Sequence, residues 1–206
     1  MKRRAALLAV LLGLAGCRIE PGPPAGSDDD RAPGGASARD TSVAASDRMP
    51  TDTAVVMERP VEAPSGLVVP VAGVQPGDLV DTFDDARSEG RVHDAIDIPA
   101  ARGTPVVAAA PGTVAKLFTS ERGGLTVYVV GLDGRTVYYY AHLDAYAAGL
   151  DAADTVERGA LLGTVGSTGN AAAENPHLHF AIWRTSAPGE FWEGDNVNPY
   201  PLLAGR

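Results

Sequence analysis

Four histidines, His93, His142, His177 and His179, are the residues of this 206-residue chain best suited to acid–base or metal chemistry. Two of them flank a leucine in "NPHLHF". In an extended strand alternate side chains share a face, so His177 and His179 project together while Leu178 and Phe180 point the other way. Upstream, "RVHDAIDIPAARGTPV" places His93 four residues before Asp97, with Ile96 and Ile98 on the face opposite the aspartate. Fully extended, His93 and Asp97 would stand ~13 Å apart, too far to share an ion. A turn through Asp94 and Ala95 would close that gap. His142 ends "VYYYAHL", where alternation puts Tyr138, Tyr140 and His142 on one face. Imidazole nitrogen and carboxylate oxygen are donors that zinc accepts. On spacing alone two readings stay open: a metal site, or strand histidines each satisfied at the surface or in the core.

The elements that must position these groups are short strands. "GTPVVAAAPGTVAKLF", "GGLTVYVVGLDGRTVYYYAHL", "GALLGTVGSTG" and "HLHFAIW" are rich in Val, Thr and Tyr and are punctuated by Gly and Pro. "LTVYVV" and "RTVYYYAHL" around "GLDG" predict a hairpin, because Asp-Gly takes the positive φ that tight turns require. Only "LDAYAAGLDAA" has a helical look. The expected fold is mainly β: a compact antiparallel barrel or sandwich of short strands with little helix.

Large hydrophobes return at "GLVVPVAGV" and persist to "NPYPLL", and residues 61–206 are the expected folded domain. Residues 17–60 are dominated by Pro, Gly, Ala, Ser and Asp and read as a disordered linker that cannot bury enough apolar surface to offset its conformational entropy. Its root-mean-square span would be about 35 Å. Residues 1–16, "MKRRAALLAVLLGLAG", have a basic start and an apolar run too short for a bilayer, which needs ~20 residues, and read as an export signal. "LAGC" resembles the lipobox of bacterial lipoproteins, which implies cleavage before Cys17, lipidation of its thiol and a membrane-anchored protein of the periplasm or cell envelope. Cys17 is the only cysteine, which excludes an internal disulfide, a thiolate metal site and a cysteine nucleophile in the folded part. The net charge of −9 and the lack of a Lys/Arg cluster beyond the signal argue against a nucleic-acid partner.

Taken together and in order, "HDAIDIPAARGTPV", "YYYAHL", "GTVGSTGNA" and "NPHLHF" resemble the lysostaphin-type (LytM-like) zinc endopeptidases that cut the peptide part of bacterial peptidoglycan. The resemblance covers roughly residues 70 to 203. It implies one zinc per chain held by His93, Asp97 and His179, with His142 and His177 as catalytic histidines. Arg87, in "TFDDAR", and Tyr140 become candidate substrate contacts. Ala95 stands where the family often has glycine, and Ala181 where an acidic residue is common. Three protein ligands leave the fourth coordination position open, as in catalytic zinc sites. No glutamate adjoins a ligand, so proton transfer would fall to the spare imidazoles.

The resemblance therefore implies a zinc endopeptidase acting on peptidoglycan stem peptides or cross-links in cell-wall remodelling. Some relatives have lost zinc ligands and serve instead as regulators that activate cell-wall amidases. Loss of His93, Asp97 or His179 would mark that class, and all three are present. A metal-independent glycan- or peptide-binding lipoprotein would leave the five site residues unexplained.

Overall fold

A computed structural model describes residues 60–87 and 90–206. The expected signal, the expected lipidation site Cys17 and nearly all of the expected linker lie outside the described residues. Among the described residues nine strands follow in order: β1 (Ile96–Pro99), β2 (Pro105–Val107), β3 (Gly112–Ser120), β4 (Gly124–Gly131), β5 (Thr136–Tyr146), β6 (Thr155–Val156), β7 (Leu161–Val165), β8 (His177–Arg184) and β9 (Asp195–Val197). All pairings are antiparallel, in the order β1-β8-β5-β4-β3-β6, with β7 bridging β2 and β5 and β9 pairing with β8. The path starts at β1 and ends at β6 without joining them, so the sheet is not the closed barrel that was one form of the expectation.

The expected alternation holds where the site needs it. On β8, Leu178, Phe180 and Ile182 are buried in the core, which leaves His177, His179 and Trp183 on the other face. On β1, Ile96 and Ile98 are buried and Asp97 faces away from them. The two strands pair with Asp97 directly opposite His179, a position where side chains of neighbouring strands touch. The core side of these strands meets Tyr140, Leu143, Val127 and Leu162.

The β4–β5 hairpin forms at "GLDG" as predicted. Gly134 has φ 66° and donates from its N–H to the Gly131 carbonyl at 2.9 Å. Asp133 Oδ1 accepts from the N–H groups of Arg135 and Thr136 at 3.0 and 2.8 Å.

The helical look of "LDAYAAGLDAA" is not realised. Its first four residues complete β5, and the rest forms turns through Gly149, at φ 77°. Pairing of Leu143, Ala145 and Tyr146 with β7 outweighs a helical propensity already weakened by glycine. The described α-helix is instead Pro199–Ala204. Asn198 Oδ1 caps its N-terminus by accepting from Tyr200 N–H, proline stands in the first turn, and Gly205 at φ 71° ends it.

Candidate metal centre

His93 and Asp97 meet through the turn that their spacing requires. Asp94 adopts a left-handed conformation, φ 56°, and Ala95 is fully buried behind it. The chain thus doubles back, and His93 Nε2 stands 3.0 Å from Asp97 Oδ1. Thr82 fixes both ends of this turn. Its carbonyl accepts from His93 Nδ1 at 2.8 Å, and its hydroxyl accepts from the Asp97 N–H at 3.1 Å. Nothing local in "DTFDDAR" marks Thr82 for that role, because its partners lie 11 and 15 residues away.

His179 completes a near-equilateral triangle. Its Nδ1 lies 3.0 Å from His93 Nε2 and 3.1 Å from Asp97 Oδ1. Tetrahedral zinc with ligands at 2.0–2.1 Å has ligand–ligand edges of roughly 3.3 Å, about 0.3 Å from these separations. A carbonyl only accepts, so the Thr82 contact makes His93 Nδ1 a protonated nitrogen, and in the neutral ring Nε2 carries a lone pair. A lone pair and a carboxylate oxygen 3.0 Å apart repel unless a proton or a cation lies between them. The donor set, two imidazoles and one carboxylate, fits zinc.

The other two histidines border the triangle. His142 Nδ1 donates to the Thr168 carbonyl at 2.8 Å and His177 Nδ1 to the Asn175 carbonyl at 2.8 Å. Each therefore offers Nε2 as its remaining functional nitrogen. His177 Nε2 lies 3.7 Å from Asp97 Oδ1, and the His142 ring is 5.0 Å from that of His177 and 5.6 Å from that of His179, centre to centre. All five residues line one groove.

Electrostatics follow burial and proximity. Burial pushes the Asp97 carboxyl up, but hydrogen bonds with His179 and His93 and their charges reverse this and hold it well below the usual carboxylate range. Burial lowers His142 to about 4 against the upward pull of the Thr168 carbonyl. Burial likewise lowers His179, opposed by Asp97.

Tyr140 does not join the site. Alternation places it with His142, but Leu125 pairs with Leu143 while Val127 pairs with Tyr140, so β5 carries one extra residue in a bulge. His142, at φ 61°, sits in that bulge. The bulge re-aims His142 to the face of Tyr139, and it is Tyr139 that lines the groove, 6.1 Å from the His179 ring. Tyr140 is wholly buried against Phe180, its hydroxyl oxygen accepting from the Ala109 N–H at 2.9 Å. Arg87 does line the groove, but its Nη2 is bonded to Asp97 Oδ2 at 2.6 Å.

The loop "GSTGN" buttresses His142. Thr168 Oγ1 accepts from the Leu125 N–H at 2.9 Å and donates to the Leu143 carbonyl at 2.7 Å, while its own carbonyl holds His142. Gly124, at φ 63°, makes room for it, since a Cβ there would lie 2.1 Å from Thr168 Oγ1.

A β-scaffold that gathers two imidazoles and a carboxylate on one point, with two further imidazoles alongside, carries the donor set of a metal-dependent hydrolase. Residues 91–199 match peptidase family M23, and the chain belongs to that family. Over 129 residues it is 34% identical to the L-Ala--D-Glu endopeptidase of Bacillus subtilis, covering 59% of this chain and 38% of that protein. Over 91 residues it is 38% identical to the DD-carboxypeptidase/endopeptidase Mpg of Neisseria meningitidis, covering 44% of this chain and 20% of the relative. The chain thus spans about two-fifths or less of the length of these curated relatives. The solved catalytic domain of lysostaphin from Staphylococcus simulans superimposes with a TM-score of 0.52 at 27% identity, covering 62% of this chain and 94% of that domain.

Proposed function

We propose that this M23 peptidase is a zinc-dependent endopeptidase that hydrolyses an amide bond in peptidoglycan stem peptides or cross-links, tethered to the cell envelope through Cys17. The observation that carries the reading is the triangle of His93 Nε2, Asp97 Oδ1 and His179 Nδ1, with sides of 3.0 to 3.1 Å. A zinc ion held there would polarise the scissile carbonyl and lower the pKa of water toward ~7.

The chain's own contribution is orientation and proton transfer. Thr82 and Arg87 hold Asp97 so that Oδ1 faces the two ligand histidines. His142 and His177 have committed their Nδ1 hydrogens to carbonyls, so each can act only through Nε2. One Nε2 would take a proton from the attacking water and pass it to the amide nitrogen as the C–N bond breaks, and the other, in its protonated form, would donate a hydrogen bond to the oxygen of the tetrahedral carbon. The tether would let the domain reach wall within about 35 Å of its anchor.

Purified peptidoglycan digested by the full chain, with the fragments identified by mass, tests the proposal. Release of new amino termini at a single bond type, abolished by chelation and restored by zinc, is the expected result. About one tightly held zinc per chain should accompany it. A chain that binds no zinc after reconstitution and releases nothing would instead belong with the non-catalytic regulators.

A further inference from the structure

We infer that the aromatic shelf running from Tyr139 to Trp192 is a glycan-binding subsite, which seats β-1,4-linked N-acetylhexosamines of the peptidoglycan strand while the attached peptide enters the groove of His142 and His177. The choice of polymer rests on the peptidase reading. Tyr139 lines that groove, its ring 6.1 Å from the ring of His179. From Tyr139 the rings continue outward: Tyr128 at 4.8 Å, then Phe191 5.8 Å from Tyr128, then Trp192 5.0 Å from Phe191. Trp183 stands 5.8 Å from Tyr139 and 6.1 Å from Tyr128. Both tryptophans of the chain therefore fall at the outer end of the shelf, where they line one shallow pocket. Trp192 is 63% exposed. A single exposed apolar residue such as Leu132 is ordinary, whereas a large ring left in water at the end of a continuous aromatic run marks a binding surface.

The shelf is braced to keep its shape. β9 pairs with β8, with Asn196 opposite Trp183 and Asp195 opposite Arg184. Gly194 lies so close to β8 that a Cβ would meet the Arg184 carbonyl oxygen at 2.3 Å and Trp183 Cδ1 at 2.8 Å. The Trp183 Nε1–H donates to the Phe191 carbonyl at 3.1 Å, which ties the loop carrying Trp192 to the strand carrying His177 and His179. That bond uses the single donor of this indole, so its ring faces are what remain for recognition. Rings fixed in advance lose little entropy on binding.

Shape, charge and spacing choose the occupant. A β-1,4-linked pyranose keeps its substituents equatorial, so it presents flat C–H faces to aromatic rings and hydroxyl and acetamido groups at its edges. Glu193 and Asn196 stand exposed beside the indoles and offer a carboxylate and an amide to those edges. Glu190, Glu193 and Asp195 flank Trp192 in the chain, and Arg184 is paired with Asp133 at 3.5 Å. This acidity disfavours an anionic partner, and a second copy docked face to face would set acid against acid. A glycan whose lactyl carboxyl groups are taken up in amide bonds is neutral. His179 and Trp183 share a face of β8 four residues apart. At ~13 Å along the strand, a peptide leaving a sugar at the indoles reaches the metal triangle after about four extended residues.

Sugar binding to the full-length chain tests the inference without depending on turnover. Because both tryptophans lie on the shelf, intrinsic fluorescence reports its occupancy directly. The β-1,4-linked tetrasaccharide of N-acetylglucosamine is expected to change the wild-type emission saturably, and the α-linked glucose tetramer maltotetraose, whose chain coils, to do so more weakly. Calorimetric titration then compares variants. Trp192→Ala should weaken tetrasaccharide binding about tenfold, the scale of one lost ring contact. Trp192→Phe should retain most of the affinity, and Leu132→Ala, which removes an exposed apolar side chain elsewhere, should leave it unchanged. No saturable signal up to about 10 mM sugar would overturn the inference. So would equal binding of maltotetraose, affinity untouched by Trp192→Ala, or self-association that Trp192→Ala abolishes, which would assign the shelf to a second copy. Failure of the wild-type chain to cut any peptidoglycan would instead count against the peptidase reading, with the sugar titration still deciding the shelf.

Discussion

Arg87 Nη2 bonds Asp97 Oδ2 at 2.6 Å, which divides the labour of one carboxylate: Oδ2 belongs to the guanidinium and Oδ1 to the two histidines. A carboxylate held this way presents one oxygen in a fixed direction. Partners behind a metal ligand commonly contribute 10–100-fold to metal affinity. Arg87→Ala is therefore expected to weaken zinc binding by about tenfold, with Arg87→Lys intermediate because it keeps the charge and loses the fork. Competition with a chromogenic chelator measures this. Unchanged or tighter zinc binding would show that Arg87 does not act by orienting Asp97.

His93 and His179 point into the triangle, whereas His142 and His177 stand beside it. Replacing either of the first two by alanine should strip the metal. His142→Ala and His177→Ala should retain about one zinc per chain yet lower peptide cleavage by about 10²-fold or more, the usual worth of a positioned acid or base. Zinc content and cleavage rate are read on the same preparations. Loss of zinc in His177→Ala, or near-normal turnover without it, would contradict the division of roles.

Thr168 ties the "GSTGN" loop to β4 and β5 through Leu125, Leu143 and His142. Thr168→Val keeps the shape but loses the hydroxyl, leaving the Leu125 N–H without its acceptor, at a cost of about 1–3 kcal/mol. Cleavage should fall more than zinc affinity does, because His142 is displaced and the ligands are not. Gly124→Ala should be worse: it brings a Cβ against Thr168 at a backbone angle that alanine resists. Urea denaturation and zinc titration of both variants distinguish a local shift of His142 from general unfolding.

Much of this site is legible in the chain wherever the chemistry is local. The alternation of "HLHF" fixes which face His177 and His179 share, the "GLDG" hairpin forms as its residues dictate, and the small Ala95 permits the turn that joins His93 to Asp97. Tyr140 and Tyr139 exchange places because a bulge adds one residue before Leu143, and period-2 counting cannot see a bulge. Thr82 and Thr168 escape notice for another reason. Each acts through hydrogen bonds to partners 11 to 43 residues away, so only the folded sheet brings them to the histidines. The terminal helix is missed because "NPYPLL" is short and proline-rich, although its Asn cap and trailing glycine are both present in the sequence.

Asp133 provides a test of the hairpin independent of the metal. Slight burial raises its pKa, but hydrogen bonds from the Thr136 hydroxyl and N–H and the Arg135 N–H, with the charge of Arg184, prevail and lower it to about 2. A carboxyl whose folded pKa is depressed stabilises the fold above its unfolded value, and that stability drains away as pH falls through the folded value. The window here runs from about 3.8 down to about 2. Asp133→Ala should cost roughly 1 kcal/mol or less at pH 7, since the group is exposed and screened. The difference between wild type and variant should then shrink across that window. Acid titration of Asp97 is common to both proteins and cancels in the comparison. A wild-type-minus-variant difference that stays constant from pH 7 to 2 would mean that the carboxylate does not hold the turn.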